Sequence, residues 1–231
     1  MDSARARTRR KGERRRRTAT HLAAMVLAFA LFSPAVLVAR TSALAQAPAT
    51  KPWQEVIRPA DRVLIDPTES LINSLIRSIQ PNADYVISGP GAFDKRDLLG
   101  LLQPGKRTET SDLVGRWRCR AIQPTSDAVY VYGFFQCDIA SVDGQLLFRK
   151  LTGSQLRHGA LYPDDGMRFV FLGRGNSLKK GLRSVYGDPA VEGSYFDLDS
   201  VGVFFGRGRG KVTAIFASAE YGYEIYDLRR D

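Results

Sequence analysis

The chain has 231 residues, with 34 Lys and Arg against 24 Asp and Glu, a formal charge of +10, two cysteines and two histidines. That length predicts one domain with an appendage and enough chain to bury a sizeable core. Residues 1–45 hold ten of the basic residues and two of the acidic ones, so residues 46–231 carry 24 against 22. A balance of +2 removes any argument from overall charge for nucleic acid, phosphate or membrane partners.

The first 45 residues read as a cleavable export signal. Arg5, Arg7, Arg9, Arg10, Lys11 and Arg14 to Arg17 form a positive n-region, Leu22 to Val38 an apolar run, and Ala43-Leu44-Ala45 the small residues a signal peptidase requires. Pro34 within the run and Arg40 after it argue against a spanning anchor, which leaves no stable membrane anchor once the signal is removed. Cleavage is expected after Ala45, with a periplasmic or secreted location in a bacterium. The mature chain holds Cys119 and Cys137, an even count that suits one disulfide in an oxidising compartment.

Residues 46–112 form an N-terminal arm with one or two helices. After a flexible lead-in, Thr68 is placed to cap a helix whose Leu71, Ile72, Leu75, Ile76 and Ile79 share a face. A shorter helix is expected from Asp94 to Leu102, stopped by Pro104-Gly105.

From about Leu113 the apolar period changes from 3.6 to 2. Eight strands are expected near 114–122, 129–141, 145–151, 153–161, 167–173, 200–206, 210–217 and 222–228. Asp143-Gly144, Pro163 to Gly166 and Gly206 to Gly210 supply turn chemistry between them. Alternation sends Trp117, Cys119 and Ala121 inward and leaves Arg116, Arg118 and Arg120 solvated. It gives Val131, Gly133, Phe135, Cys137 and Ile139 one common face, and Met167, Phe169 and Phe171 another.

Eight antiparallel strands with one apolar face must close or stack, since an open sheet leaves edges and apolar surface in water. The expected fold is therefore mainly β with an N-terminal helical segment (α+β): an eight-stranded antiparallel meander over 113–231, closed or nearly closed into a calycin-like barrel. The interval 174–199 lacks period-2 alternation and is long for a connection, as a lid or an excursion would be. Both cysteines point inward on neighbouring strands, which predicts a Cys119–Cys137 bridge contributing about 3 kcal/mol.

Gly115-Arg116-Trp117 at the head of the first strand resembles the G-x-W of lipocalins and related calycin barrels. That resemblance implies a tryptophan plugging the closed end, with Arg229 or Arg230 packed over it. A closer resemblance is to a family of exported bacterial proteins, Domain of Unknown Function 4893. It is carried by Gly115 to Arg120, Tyr132 to Cys137, Lys150 to Gln155 with Gly159 and Leu161-Tyr162, and Asp199 to Val203. It implies a shared scaffold and no assigned activity.

Chemistry is sparse. His158 is the single histidine of the mature chain and no G-x-S-x-G elbow accompanies it, so no catalytic residue is assigned. Two cysteines and one histidine do not make a zinc site, and Asp188, Glu192, Asp197 and Asp199 match no Ca²⁺-loop spacing, so no metal or cofactor is expected. Gly206 to Lys211 lies between two strands and ends Gly-Lys-Val, which makes it a basic hairpin tip rather than a phosphate loop.

The expected function is that of a non-enzymatic binding or structural module, with no nucleic-acid partner. Trp117, Phe135, Phe169, Phe171 and His158 would line a cavity or fill a core. The partner is either a small apolar ligand or an envelope protein. Two alternatives stand beside this one: an inhibitor of an exported protease that inserts residues 46–60 as an extended arm, and an enzyme of unknown class using His158 with Ser154 or Asp164.

Overall fold

The computed structural model describes residues 51–65, 68–79, 86–103, 105–125, 127–177, 185–189, 198–218 and 222–230. The expected signal, 1–45, lies outside them, as do 178–184 and 190–197 of the long interval. In chain order the elements are helices α1 (Trp53–Val56), α2 (Pro59–Arg62) and α3 (Thr68–Ile79), strand β1 (Val86–Ser88), and helices α4 (Lys95–Leu101) and α5 (Thr110–Leu113). Nine strands follow: β2 (Gly115–Pro124), β3 (Ala128–Val131), β4 (Phe135–Val142), β5 (Gln145–Lys150), β6 (Gln155–Asp164), β7 (Arg168–Ser177), β8 (Leu198–Gly208), β9 (Lys211–Ser218) and β10 (Gly222–Arg230).

β4 to β10 run as an antiparallel meander, and β2 closes it by pairing with β10 on one side and β4 on the other. The result is a closed eight-stranded barrel with β3 and β1 as an extension. Turn chemistry explains the hairpins. Val142 pairs with Gln145 across Asp143-Gly144, both at positive φ (49° and 81°), the geometry that joins right-twisted strands in two residues. Arg209-Gly210 likewise joins β8 to β9 in two residues, here with the positive φ at Gly210 (70°) and at the preceding Gly208 (119°), and with a bulge at Gly206/Gly208.

The single strand expected over 129–141 is corrected. Ile122 pairs with Val131 but Cys119 pairs with Phe135, so three steps along β2 oppose four along the partner. The extra residue falls in Tyr132-Gly133-Phe134, and a one-residue slip sends the following side chains to the other face. Val131 is therefore in the outer apolar cluster while Cys137 and Ile139 are inside the barrel.

The expectation of one apolar face is corrected too. Val170, Leu172, Val201, Val203, Phe205, Ile215 and Ile225 are buried on the outer wall, against Trp53, Ile57, Ile65, Leu98, Leu101 and Leu102 of the N-terminal segment. β7 to β9 thus carry near-continuous apolar runs because both faces are covered. Met167 leaves the inward set: it lies in the β6–β7 turn and is exposed.

Around the wall, polar ties reinforce this packing. Arg174 is buried, pairs with Asp199 at 3.2 Å and donates to the Asp188 carbonyl at 2.6 Å. Tyr186 donates its hydroxyl proton to Asp61 at 2.6 Å, and Arg58 pairs with Asp199. Asp199 thus holds Arg58, Arg174 and the Gly187 amide, and the Asp188 carboxylate accepts from the Val185 amide, while Glu192 and Asp197 lie outside the described residues. Residues 53–60 are α1 and the start of α2, with Trp53 buried, so the extended arm expected over 46–60 is not the conformation of its described part.

Candidate functional site

Phe148, Phe171, Phe204, Phe216 and Tyr226 occupy the barrel interior in mutual contact, with ring centroids 4.9 to 6.5 Å apart, mostly edge to face. Glycines at inward positions make the room. A Cβ on Gly173 would stand 2.4 Å from Phe171 Cζ, and one on Gly202 would stand 2.7 Å from Phe216 Cδ1. Of the expected core or cavity residues, Trp117, Phe169 and Phe171 are inside, and Phe135 packs half-buried against the same cluster. Cys119 and Cys137 are inside as well, placed as a disulfide with Cα atoms 6.0 Å apart.

His158 is the exception. The inward residues of β6 are Arg157, Gly159 and Leu161, so alternation turns His158 outward, in register with Arg149 on β5 and Arg174 on β7. Ser154 and Asp164 lie about 13 and 20 Å from it along the extended chain, and Asp164 is paired with Arg168 at 2.7 Å. The structure does not bring the proposed catalytic set together.

The end of the barrel opposite Trp117 holds a buried charged cluster. Arg157 pairs with Glu224 at 2.9 Å and lies 3.9 Å from the centroid of Phe216, while the Lys150 ammonium sits 4.5 Å from that of Phe135. Burial pulls the Lys150 pKa down from 10.5 to about 8, with Glu224 opposing the shift and Arg157 adding to it. Burial also pushes the Tyr226 hydroxyl far above its usual range. Between about pH 8 and 10.5 the unfolded chain holds a proton on this lysine that the native state has released, so the lysine makes stability rise with pH across that window. Lys150→Met is expected to stabilise the fold by about 1 kcal/mol at pH 7 and to abolish that rise. Urea unfolding midpoints at pH 7 and pH 10 check both.

The closed end is built around Trp117. Its indole N–H donates to the Leu113 carbonyl at 2.7 Å, which holds α5 against β2, and the Arg230 guanidinium lies 4.9 Å from the ring centroid. Beside it, the tip of the β8–β9 hairpin and the 106–112 segment enclose a bowl of about 800 Å³ whose lining includes Lys106, Arg107, Arg209, Lys211 and Arg230 against Asp112 alone. Gly206 is required here: a Cβ would stand 1.8 Å from Thr108 Oγ1, where the crossing segment meets the strand.

Next to the bowl, on the outer wall, Asp227 is fully buried and gathers three guanidiniums. Arg120 and Arg229 reach Oδ2 at 3.0 Å each and Arg207 reaches Oδ1 at 2.5 Å. The expectation that Arg120 is solvated is corrected: it is buried, donates to the Gly91 carbonyl at 2.8 Å, and lies 4.1 Å from the Phe93 centroid and 4.8 Å from that of Phe134. Burial lowers the pKa values of Arg120 and Arg207, with the neighbouring Arg229 adding to both shifts. Asp97, Gly100, Leu101, Arg120, Arg207, Lys211 and Arg229 line a crevice of about 250 Å³ there. Sequence reasoning missed Asp227, named Arg207 only as part of a basic hairpin tip and Arg229 only as an alternative to Arg230 over Trp117, where Arg230 lies, because an outward charge on an isolated strand reads as solvated. Only the covering segment around Gly91 to Leu101 shows otherwise.

Among the described residues, no group of three or more His, Cys, Asp or Glu is placed to hold a metal, and no helix is long and apolar enough to cross a membrane. A family model described as "Domain of unknown function (DUF4893)" matches residues 53–218. No curated protein matches the chain. Among solved structures the chain is similar to a redesigned β-barrel, at 8% identity and TM-score 0.35, over 52% of this chain and 93% of that one. It is also similar to two mutants of the vaccine antigen Transferrin Binding Protein B from Haemophilus parasuis Hp5. The double mutant gives 12% identity and TM-score 0.27 over 54% of this chain, and the single mutant 14% and 0.29 over 55%. The chain spans 27% and 29% of those two structures.

Proposed function

This chain belongs to the family described as Domain of unknown function (DUF4893), and we propose that it is an exported, non-enzymatic binding module that meets its partner on the outside of a filled barrel. The observation that carries this reading is the interior itself: five aromatic rings in mutual contact occupy the space an apolar ligand would need. An envelope partner is thereby favoured over a small apolar ligand. The Cys119–Cys137 bridge supports maturation in an oxidising compartment, in keeping with the leader.

The protease-inhibitor reading loses its supporting feature, since Trp53 and Ile57 of the supposed arm are buried in the outer cluster.

Intact mass of protein recovered from the periplasm without reductant tests the proposal. The expected result is an N-terminus at Gln46, a disulfide mass deficit, and equal native and denatured masses. A discrete apolar molecule retained in the native species would overturn the filled-barrel reading, and a retained leader would overturn export.

A further inference from the structure

We propose that the outer-wall crevice lined by Arg120, Arg207, Lys211 and Arg229 binds the tetrahedral oxyanion of a phosphate group. This rests on the reading of the protein as a binding module and names the ligand class of one face of it.

The argument starts from charge. Four cations line the crevice, and the carboxylates that answer them are Asp97 and Asp227. Asp227 neutralises one of the three guanidiniums it gathers, and among the described residues no carboxylate pairs with Lys211. Two positive charges are left, which matches a dianion more closely than a carboxylate. Phosphate monoesters carry about −1.5 to −2 at neutral pH.

Burial sharpens the case. The Arg120 and Arg207 side chains are only 7% and 13% exposed, so water does little to screen them from each other. Such crowding is costly unless something anionic shares the space. Arg207 Nε is buried and has no hydrogen-bond partner among the described residues, a donor left open on a side chain that lines the crevice. Guanidiniums present paired donors in a plane that suit phosphate oxygens, and Asp227 fixes three of them as a fan before any ligand arrives.

The surroundings extend the same field. Lys211 also lines the adjoining bowl, which adds Lys106, Arg209 and Arg230, while Arg107 on the same lining is paired with Glu109 at 3.0 Å. A phosphate held in the crevice would lie beside a larger cationic surface, as suits a phosphomonoester lipid headgroup such as that of phosphatidic acid or a soluble phosphate monoester. The near-zero charge of residues 46–231 hides this face because it averages over the whole surface.

Calorimetric titration of inorganic phosphate into the folded protein, in a phosphate-free buffer of low ionic strength, tests the site. One saturable site is expected, at least tenfold weaker in Arg207→Gln and in Lys211→Gln. The lysine is exposed, so its variant keeps the test valid if Arg207→Gln fails to fold. A Tm raised by phosphate in the wild type but not in Lys211→Gln is the second readout.

Cosedimentation with phosphatidylcholine vesicles with and without phosphatidic acid, whose phosphate is a monoester, separates the sources. Capture by the anionic vesicles that both substitutions abolish assigns a lipid headgroup, and phosphate binding without capture assigns a soluble phosphate. No binding of free phosphate, or binding that both variants retain, overturns the proposal. A retained apolar molecule in the native mass would refute the filled barrel without touching this titration, so the two failures are distinguishable.

Discussion

Trp117→Ala is expected to destabilise the fold by about 3–5 kcal/mol, the range for emptying a fully buried large aromatic site. The ring is 1% exposed, and three connections leave with it. Its contacts with the interior cluster end, the Leu113 carbonyl loses the indole donor that ties α5 to the barrel, and Arg230 loses the ring it lies against. For a domain of this size each kcal/mol lowers Tm by about 2–4 °C, so a fall of roughly 10 °C is expected. Trp117→Phe separates the terms: it keeps most of the apolar volume and removes the hydrogen bond, and it should cost about 1–2 kcal/mol. Urea denaturation followed by circular dichroism measures both. A loss below 1 kcal/mol for the alanine variant would mean that Trp117 does not close the barrel.

The strand pattern was legible because local chemistry and period agreed. Asp143-Gly144 demanded a two-residue turn, and Trp117, Cys119 and Ala121 alternated cleanly against arginines, so the meander followed from residues a few positions apart, and its closure from the edges that an open sheet of eight strands would leave. The helices over 68–79 and near 94–102 were readable for the same reason, the second with Asp94 accepting from the Asp97 amide as its cap.

What escaped depends on partners distant in sequence. A one-residue bulge at 132–134 leaves the composition of its strand unchanged yet reverses Val131 relative to Cys137, and no periodicity over Gly133 registers it. The outer wall of β7 to β9 showed only as apolar runs, because the segment that covers it is built from short helices at 53–62 and 95–101. Charge was the least legible quantity. Arg120, Arg207 and Arg229 are 22 to 109 positions apart in sequence and share one carboxylate only because β2, β8 and β10 bring them to the same patch.

That shared carboxylate sets the second large effect. Asp227→Asn keeps the side chain's size and removes its charge, leaving three guanidiniums facing one another, two of them nearly out of reach of water. Removing one partner of a buried ion pair costs about 3–5 kcal/mol, chiefly through the charge left behind. The loss should therefore shrink when that charge is removed as well. Arg207→Leu in the Asp227→Asn background is expected to recover part of the stability, and the double-mutant cycle should give a coupling of 0.5–3 kcal/mol, the range for side chains in one network. Additive losses would show that Asp227 acts as a packed polar group rather than as the counter-charge. Phosphate offers an independent check. If the crevice holds an oxyanion, the anion takes over part of the missing charge, so the Asp227→Asn variant should gain more Tm from added phosphate than the wild type does. Sodium chloride at matched ionic strength controls for general screening, and an equal gain in both proteins would place the anion elsewhere on the surface.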